Sequence, residues 1–287
     1  MEVISTMNSL YDLNSTTMKL HIRKGVPYLT YNELENIPFI RHAFSTKHGG
    51  VSKGIFTSMN FSFGVGDNPD DVMENYKIFC DAVGFDFHTL VASAQDHNTF
   101  VRKVGHENYG TGITKPRDIQ SVDALVTNEP NVTLVTFYAD CTPVFFVDKE
   151  KKVIALAHAG WRGTVGRICR NVIEMMKSDY GCLPENILCC IGPVISKCCY
   201  EIDEPCYLEF AKIQDIDLSK IITSKGNGKY MADLAETNKQ ILINCGVPEN
   251  NITVSDICTR CNSDLLWSHR ATNGKRGTMS AFLCITE

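Results

Sequence analysis

Residues 132–163 restrict the fold more than any other stretch of the chain. Segments 132–138, 144–147 and 153–157 are short apolar runs rich in β-branched and aromatic residues, and Asp148-Lys-Glu-Lys-Lys152 is a charged turn between the last two. They read as three consecutive strands, the last two forming an antiparallel hairpin. A turn centred near Glu150 sets Cys141 opposite Ala159 and beside His158. A thiol and an imidazole therefore meet at one end of the hairpin. Gly160 and Gly163 bracket Trp161-Arg162, and 164–177 has helical spacing with Val165, Ile168, Val172 and Met176 as its apolar positions. Arg162 and the free N–H groups of that helix then lie beside the Cys141/His158 pair, which suits an anion held next to a metal or a nucleophile.

The rest of the chain supplies scaffold around this hairpin. Asn68-Pro69-Asp70-Asp71 is a helix start with proline in the first turn, and Val72, Tyr76, Phe79 and Val83 form one buried stripe ending at Gly84. Residues 90–94 and 99–104 read as strand on either side of 95–98, which puts His97 at a bend. On its own such a histidine reads as a hydrogen-bonded scaffold residue. Residues 105–119 are polar and glycine-containing and read as a mobile loop, a candidate lid. Residues 204–213 and 232–245 carry helical patterns, and 187–191, 252–254 and 279–285 read as strands. Tyr28 to Tyr31 is expected to start an edge strand. Without repeats or linkers, the expected organisation is a loosely ordered segment 1–24 followed by one catalytic domain, 25–287.

Charge and cysteine usage narrow the function. The net charge is −5 with acids dispersed along the chain, so there is no basic stripe for nucleic acid and no polybasic patch for a membrane. A small-molecule partner fits better. The polar N-terminus lacks the apolar core of an export signal, and the apolar runs are of strand length, so a cytoplasmic protein is expected. Thirteen cysteines, an odd number that includes the adjacent pairs Cys189-Cys190 and Cys198-Cys199, imply reduced thiols. Cys258-Thr-Arg-Cys261 is the one C-x-x-C and has no second pair at zinc-knuckle spacing. It reads as thiols acting as small hydrophobes rather than as a metal or redox site.

An ordered series of motifs carries a family resemblance. Ser45-Thr-Lys47-His-Gly-Gly-Val-Ser52, Ser58-Met-Asn60, Gly64-Val-Gly-Asp67, Gln95-Asp-His97, Asp140-Cys141, Ala157-His-Ala-Gly-Trp-Arg-Gly163, Ile191-Gly-Pro193, Cys199-Tyr-Glu201, Cys258-Thr259 and the 274–285 tail together resemble the YfiH/YlmD proteins. These are laccase-domain or polyphenol-oxidase proteins, also described as purine nucleoside phosphorylases. The resemblance implies a four-layer α/β/β/α sandwich with mixed sheets in a single α+β domain. It implies His97, Cys141 and His158 as metal ligands, three protein donors with one position open as in catalytic zinc sites. Copper is admitted by the same donors. The implied reaction is zinc-dependent phosphorolysis of purine nucleosides, with adenosine deamination beside it. Arg162 and Lys47 would hold phosphate, and Asn60, Arg270 and Glu201 are candidates for ribose or base contacts.

The chain departs from the family pattern in three places. Lys47 stands where arginine is usual, exchanging a planar fork for a point charge. Thr278 stands where arginine is usual, with Arg276 two residues earlier on the same face of an extended segment. Asp96 replaces an apolar residue and is expected to point away from the site. Two rival chemistries use the same residues. Copper-dependent polyphenol oxidation would need a histidine-rich cluster, whereas the chain has eight histidines and no His-x-His. A metal-free thiol hydrolase acting on peptides or peptidoglycan precursors would use Cys141 as nucleophile and His158 as its base.

Overall fold

A computed structural model describes residues 13–286, whose strands sort into three sheets. The first has the order β1 (Met18–Arg23), β2 (Val26–Tyr31), β3 (Ile40–Ser45), β15 (Met279–Ile285), β7 (Thr133–Tyr138), β4 (Leu90–Ala92). The second runs β14 (Ile252–Val254), β10 (Ile187–Ile191), β8 (Thr142–Asp148), β9 (Val153–Ala159), β6 (Ala124–Thr127), β5 (Val101–Lys103). A small sheet joins β11 (Glu201–Asp203), β13 (Lys229–Ala232) and β12 (Ile222–Gly226). Both large sheets are mixed, since β4 runs parallel to β7, β14 to β10 and β5 to β6 while the other pairs are antiparallel. The helices that bear on the site are α1 (Pro69–Val83), α2 (Trp161–Val165), α3 (Ile168–Tyr180) and α4 (Leu234–Asn244).

Side-chain alternation along the central strands decides the layers. Met279, Ala281, Leu283 and Ile285 of β15 pack with Phe145 and Val147 of β8 and with Ile154 and Leu156 of β9, so this cluster fills the space between the two sheets. Phe282 and Cys284 face the opposite way and meet Val72, Tyr76 and Phe79 of α1. Val144 and Phe146 of β8 and Ala155 and Ala157 of β9 face α3 and α4 through Ile168, Val172, Met176, Ile241 and Leu242. Helices thus cover the outward face of each sheet. Phe282 illustrates the energetics: it is fully buried and stacks on Phe79 at 4.7 Å between ring centroids, a burial that stabilises by about 1.5–3 kcal/mol.

Local sequence explains where α1 begins and ends. The Asn68 side chain accepts the Asp70 N–H at 2.9 Å, Pro69 opens the helix, and Gly84 closes it in the left-handed conformation at φ 94°. The helix expected over 164–177 is instead broken. Arg167 takes a left-handed φ of 65°, so α2 ends at Val165 and α3 starts at Ile168.

Three further expectations are corrected. β2 is an inner strand because Met18–Arg23 pairs with it as the true edge; Met18, Leu20 and Ile22 alternate with Lys19, His21 and Arg23, the pattern of a half-buried strand inside a segment read as loose. Residues 1–12 of that segment lie outside the described residues. The 105–119 loop is anchored rather than free: the Gly110 N–H donates to Leu90 O, the Ala92 N–H to Thr111 O and the Ala94 N–H to Ile119 O, and Ile113 and Ile119 are buried. No helix among the described residues is long and apolar enough to cross a membrane.

Candidate metal centre

The ligand-bearing segments lie where the chain leaves one sheet for the other. β4 belongs to the first sheet and β5 to the second, and His97 sits in the crossing between them; β7 and β8 are divided in the same way, and Cys141 sits in theirs. His158 is on β9 at the same end. The β8–β9 register pairs Thr142 with Ala159 and Pro143 with His158. The hairpin is therefore one residue out of step with the expected pairing, and Cys141 precedes β8 instead of facing Ala159. The meeting at the hairpin's end survives because the displacement is small.

Donor atoms of His97, Cys141 and His158 all lie within 4.8 Å of one another. Cys141 Sγ is 3.8 Å from His97 Nε2, and the two imidazoles meet edge to face at 4.8 Å between centroids. His158 is buried, Cys141 half-buried and His97 exposed at the rim. Gly160 permits the convergence, since a Cβ there would come within 2.8 Å of His97 Cδ2 and 3.3 Å of Cys141 Sγ. Burial opposes ionisation of the Cys141 thiol, but His158 and His97 outweigh it and bring the group down to about 6. Burial likewise opposes protonation of His158, while Cys141 and Asp123 raise it to about 9. Without a metal, both shifts favour a thiolate beside an imidazolium.

Asp123, which the sequence reading missed, organises the group. Its Oδ1 accepts His158 Nδ1–H at 2.7 Å and the His97 N–H at 3.0 Å; its Oδ2 accepts the N–H groups of Asp96 at 3.0 Å and Asn98 at 3.1 Å. One carboxylate thereby fixes the bend that carries His97, where φ is 62°, and turns His158 Nε2 toward the other donors. A signal was present in the sequence. An acid directly before the apolar run of β6 is costly to bury unless it is bonded on all sides.

A cavity of about 420 Å³ opens on the three donors and is also lined by Arg117, Arg276, Phe137 and Val65. Arg276 donates through an Nη to Thr278 Oγ1 at 3.0 Å and to Gly277 O at 3.1 Å, while its Nε is buried without a partner. Arg117 lies over the Phe137 ring, 5.3 Å from the centroid. Asp96 points away, as expected, with Ser121 donating to its carboxylate.

The other candidates stand apart from this cavity. Lys47 Nζ donates to Ser263 O and lies 5.6 Å over Trp267. Asn60 is fully buried and braces the wall from behind, donating to Asp67 and accepting the Thr278 N–H at 2.9 Å. Arg162 is exposed over its neighbour Trp161, 4.3 Å from the ring, because α2 begins one residue earlier and turns that side chain outward. Arg270 and Glu201 line a second cavity with Trp161, Tyr200 and Lys229, and the Arg270 N–H donates to Asp140 Oδ2 at 2.7 Å.

Residues 41–286 match the family described as multi-copper polyphenol oxidoreductase laccase. The chain is 34% identical over 282 residues to purine nucleoside phosphorylase YlmD of Bacillus subtilis, which covers 98% of this chain and 100% of that protein. It is 33% identical over 269 residues to a purine nucleoside phosphorylase of Bacteroides thetaiotaomicron, covering 93% and 99%. The crystal structure of the hypothetical protein YfiH of Bacillus licheniformis aligns with a TM-score of 0.88 at 31% identity, covering 93% of this chain and 98% of that one. YlmD of Geobacillus stearothermophilus aligns with a TM-score of 0.87 at 32% identity, covering 93% and 99%.

Proposed function

The chain belongs to the multi-copper polyphenol oxidoreductase laccase family, and from that membership we propose that it is a zinc-dependent purine nucleoside phosphorylase. The observation that carries the reading is one cavity in which His97, Cys141 and His158 converge beside a half-buried guanidinium, Arg276, with an unpartnered Nε. The donor set fits a metal: two imidazoles and a thiolate suit zinc, and Asp123 orients His158 as outer-shell carboxylates do. When bound, zinc supplies a Lewis acid that polarises an oxygen ligand.

The residues divide the remaining work. Arg276, with Arg117 nearby, binds phosphate and holds it in place; the free Nε and the fork geometry suit a tetrahedral anion. Phe137 and Val65 give the purine an apolar wall and exclude water from the sugar carbon. A phosphate oxygen forms the new bond to the anomeric carbon as the bond to the purine breaks. The base leaves with the bonding pair and takes up the proton released by phosphate. Of the earlier phosphate candidates, this reading replaces Arg162 and Lys47 by Arg276 and Arg117. Adenosine, inosine, guanosine and methylthioadenosine are the substrates to try, with adenosine deamination as a side reaction in which water replaces the exocyclic amine.

The test is turnover of inosine or adenosine by zinc-loaded enzyme with and without phosphate. Phosphate-dependent release of base with equimolar ribose 1-phosphate is expected. Base release that ignores phosphate, or oxygen-dependent phenol oxidation without base release, refutes the reading. The paired thiolate and imidazolium favour one second reading, a thiol hydrolase in the metal-free protein. Alkylation of Cys141 separates the two. In metal-free protein its rate should rise with pH through about 6 rather than through the usual thiol range near 8.5, and zinc should suppress it.

A further inference from the structure

A second thiol cluster lies away from the triad. Cys198 Sγ is 3.6 Å from Cys199 Sγ and 3.7 Å from Cys261 Sγ, and Cys199 Sγ is 3.4 Å from Cys261 Sγ. Cys258 completes a set of four whose sulfurs all lie within 4.8 Å of one another. We propose that Cys198, Cys199, Cys258 and Cys261 form a closed tetrathiolate zinc site. The partner pair that the C-x-x-C lacked at zinc-knuckle spacing is therefore the adjacent pair Cys198-Cys199, brought up by the fold.

The geometry fits the ion. Four sulfurs at ~2.3 Å from a tetrahedral zinc are about 3.8 Å apart, so the three separations among Cys198, Cys199 and Cys261 need only a few tenths of an ångström of expansion, and those to Cys258 lie within 4.8 Å. Two turns present the thiols. The Cys199 and Tyr200 N–H groups donate to Ser196 O, and the Asn262 N–H donates to Cys258 O. A parallel bridge between Val194 and Cys258 holds the turns together. The charge of four thiolates on one divalent ion is offset locally, since the Ser196 N–H points at Cys258 Sγ at 3.4 Å and an Arg260 Nη at Cys199 Sγ at 3.6 Å. Small-hydrophobe packing does not account for the set, because Cys198 and Cys261 are exposed. Four sulfur donors in a tetrahedron exclude the hard cations that prefer oxygen.

The site has a structural consequence. Thr259, between the ligands, donates to Asp140 Oδ1 at 2.6 Å, and Asp140 precedes Cys141. The closed site would brace the crossing that carries the triad's thiol, and binding would release four thiol protons.

Elemental analysis of protein made without added metal tests this, comparing wild type with Cys141→Ser and with Cys258→Ser/Cys261→Ser. Two zinc ions per chain are expected in wild type and one in each variant. The loss in Cys141→Ser measures the triad; in the double variant, loss of one ion measures this site alone and loss of both measures it together with the crossing it braces, so either assignment can fail without the other. Zinc content unchanged in the double variant overturns the proposal. Should that variant misfold, X-ray absorption on Cys141→Ser protein decides: four sulfur neighbours at ~2.3 Å support the site. Nitrogen or oxygen in the zinc shell, iron in place of zinc, or a metal-free disulfide among these cysteines in protein purified without oxygen overturns it.

Discussion

Asp123→Asn should weaken the metal centre and the fold together. Each carboxylate oxygen of Asp123 accepts two N–H groups, and the residue is fully buried. Asparagine keeps one oxygen and sets an NH₂ donor in place of the other. If the NH₂ replaces Oδ2, the N–H groups of Asp96 and Asn98 face a donor. Two orphaned, part-buried donors, each at the low end of about 1–3 kcal/mol, give roughly 2–3 kcal/mol of lost stability, a fall in Tm on the order of 5–10 °C. If it replaces Oδ1, the His97 N–H is orphaned and His158 is driven to the tautomer in which Nδ1 accepts and Nε2 carries the proton, so Nε2 cannot ligate. Either orientation should lower zinc affinity by about 10- to 100-fold, the usual effect of losing an outer-shell partner. The assays are competition with a chromophoric chelator for affinity and thermal unfolding of metal-free protein for stability. A variant that binds zinc as tightly as wild type and melts at the same temperature would refute the role given to Asp123.

Three other perturbations probe the same picture. Gly160→Ala has a backbone that alanine adopts freely, φ −63° and ψ 169°, so its added Cβ acts only by pushing His97 and Cys141 apart; metal affinity should fall at least ~10-fold with Tm little changed, and equal affinity would contradict the close approach. Arg276→Ala should raise the KM for phosphate by about 10- to 100-fold, the worth of a charge-assisted contact, whereas Arg162→Ala should leave it unchanged; the opposite ranking would return the anion to Arg162. His42 is buried, accepts the Tyr31 N–H at 2.7 Å, and is held down to about 4, with burial as the main cause. Its unfolded value is near 6.5, so between those values the unfolded chain binds the extra proton. Stability should therefore fall by about 3 kcal/mol as pH drops from 6.5 to 4 and then level off. Denaturant melts of wild type and His42→Gln across that range check it, and parallel pH profiles would show that His42 contributes nothing.

What could be read from the sequence follows the range of the interactions. Cys141 and His158 lie on one hairpin, so apolar alternation and a charged turn were enough to bring them together within one residue of register. His97 needed the family motifs, because its approach depends on a crossing between sheets that no local pattern announces. Arg162 shows the limit of sequence proximity: only four residues from His158, it is turned outward where α2 starts after Gly160. Arg117 was hidden for the opposite reason, since it reaches the cavity from a distant segment, whereas Arg276 was visible only as the neighbour of the Thr278 departure. Cys198 and Cys199 read from sequence only as reduced thiols, and nothing local brings them to Cys258 and Cys261 across about sixty residues.

Inside a sheet, ladder hydrogen bonds and the alternation of side chains between faces leave little freedom to aim three donors at one point. Where the chain passes from one sheet to the other, that constraint lapses. The backbone must be satisfied there by other means, and here a buried carboxylate takes up three consecutive N–H groups. His97 and Cys141 come from two such crossings, and Arg276 and the Cys258/Cys261 pair lie in a third, between β14 and β15. A metal held by the first two would tie the sheets together at their seam, and its binding energy would then also act on the packing between them. The same positions that free the side chains for chemistry are those where a bound metal would also link the two sheets.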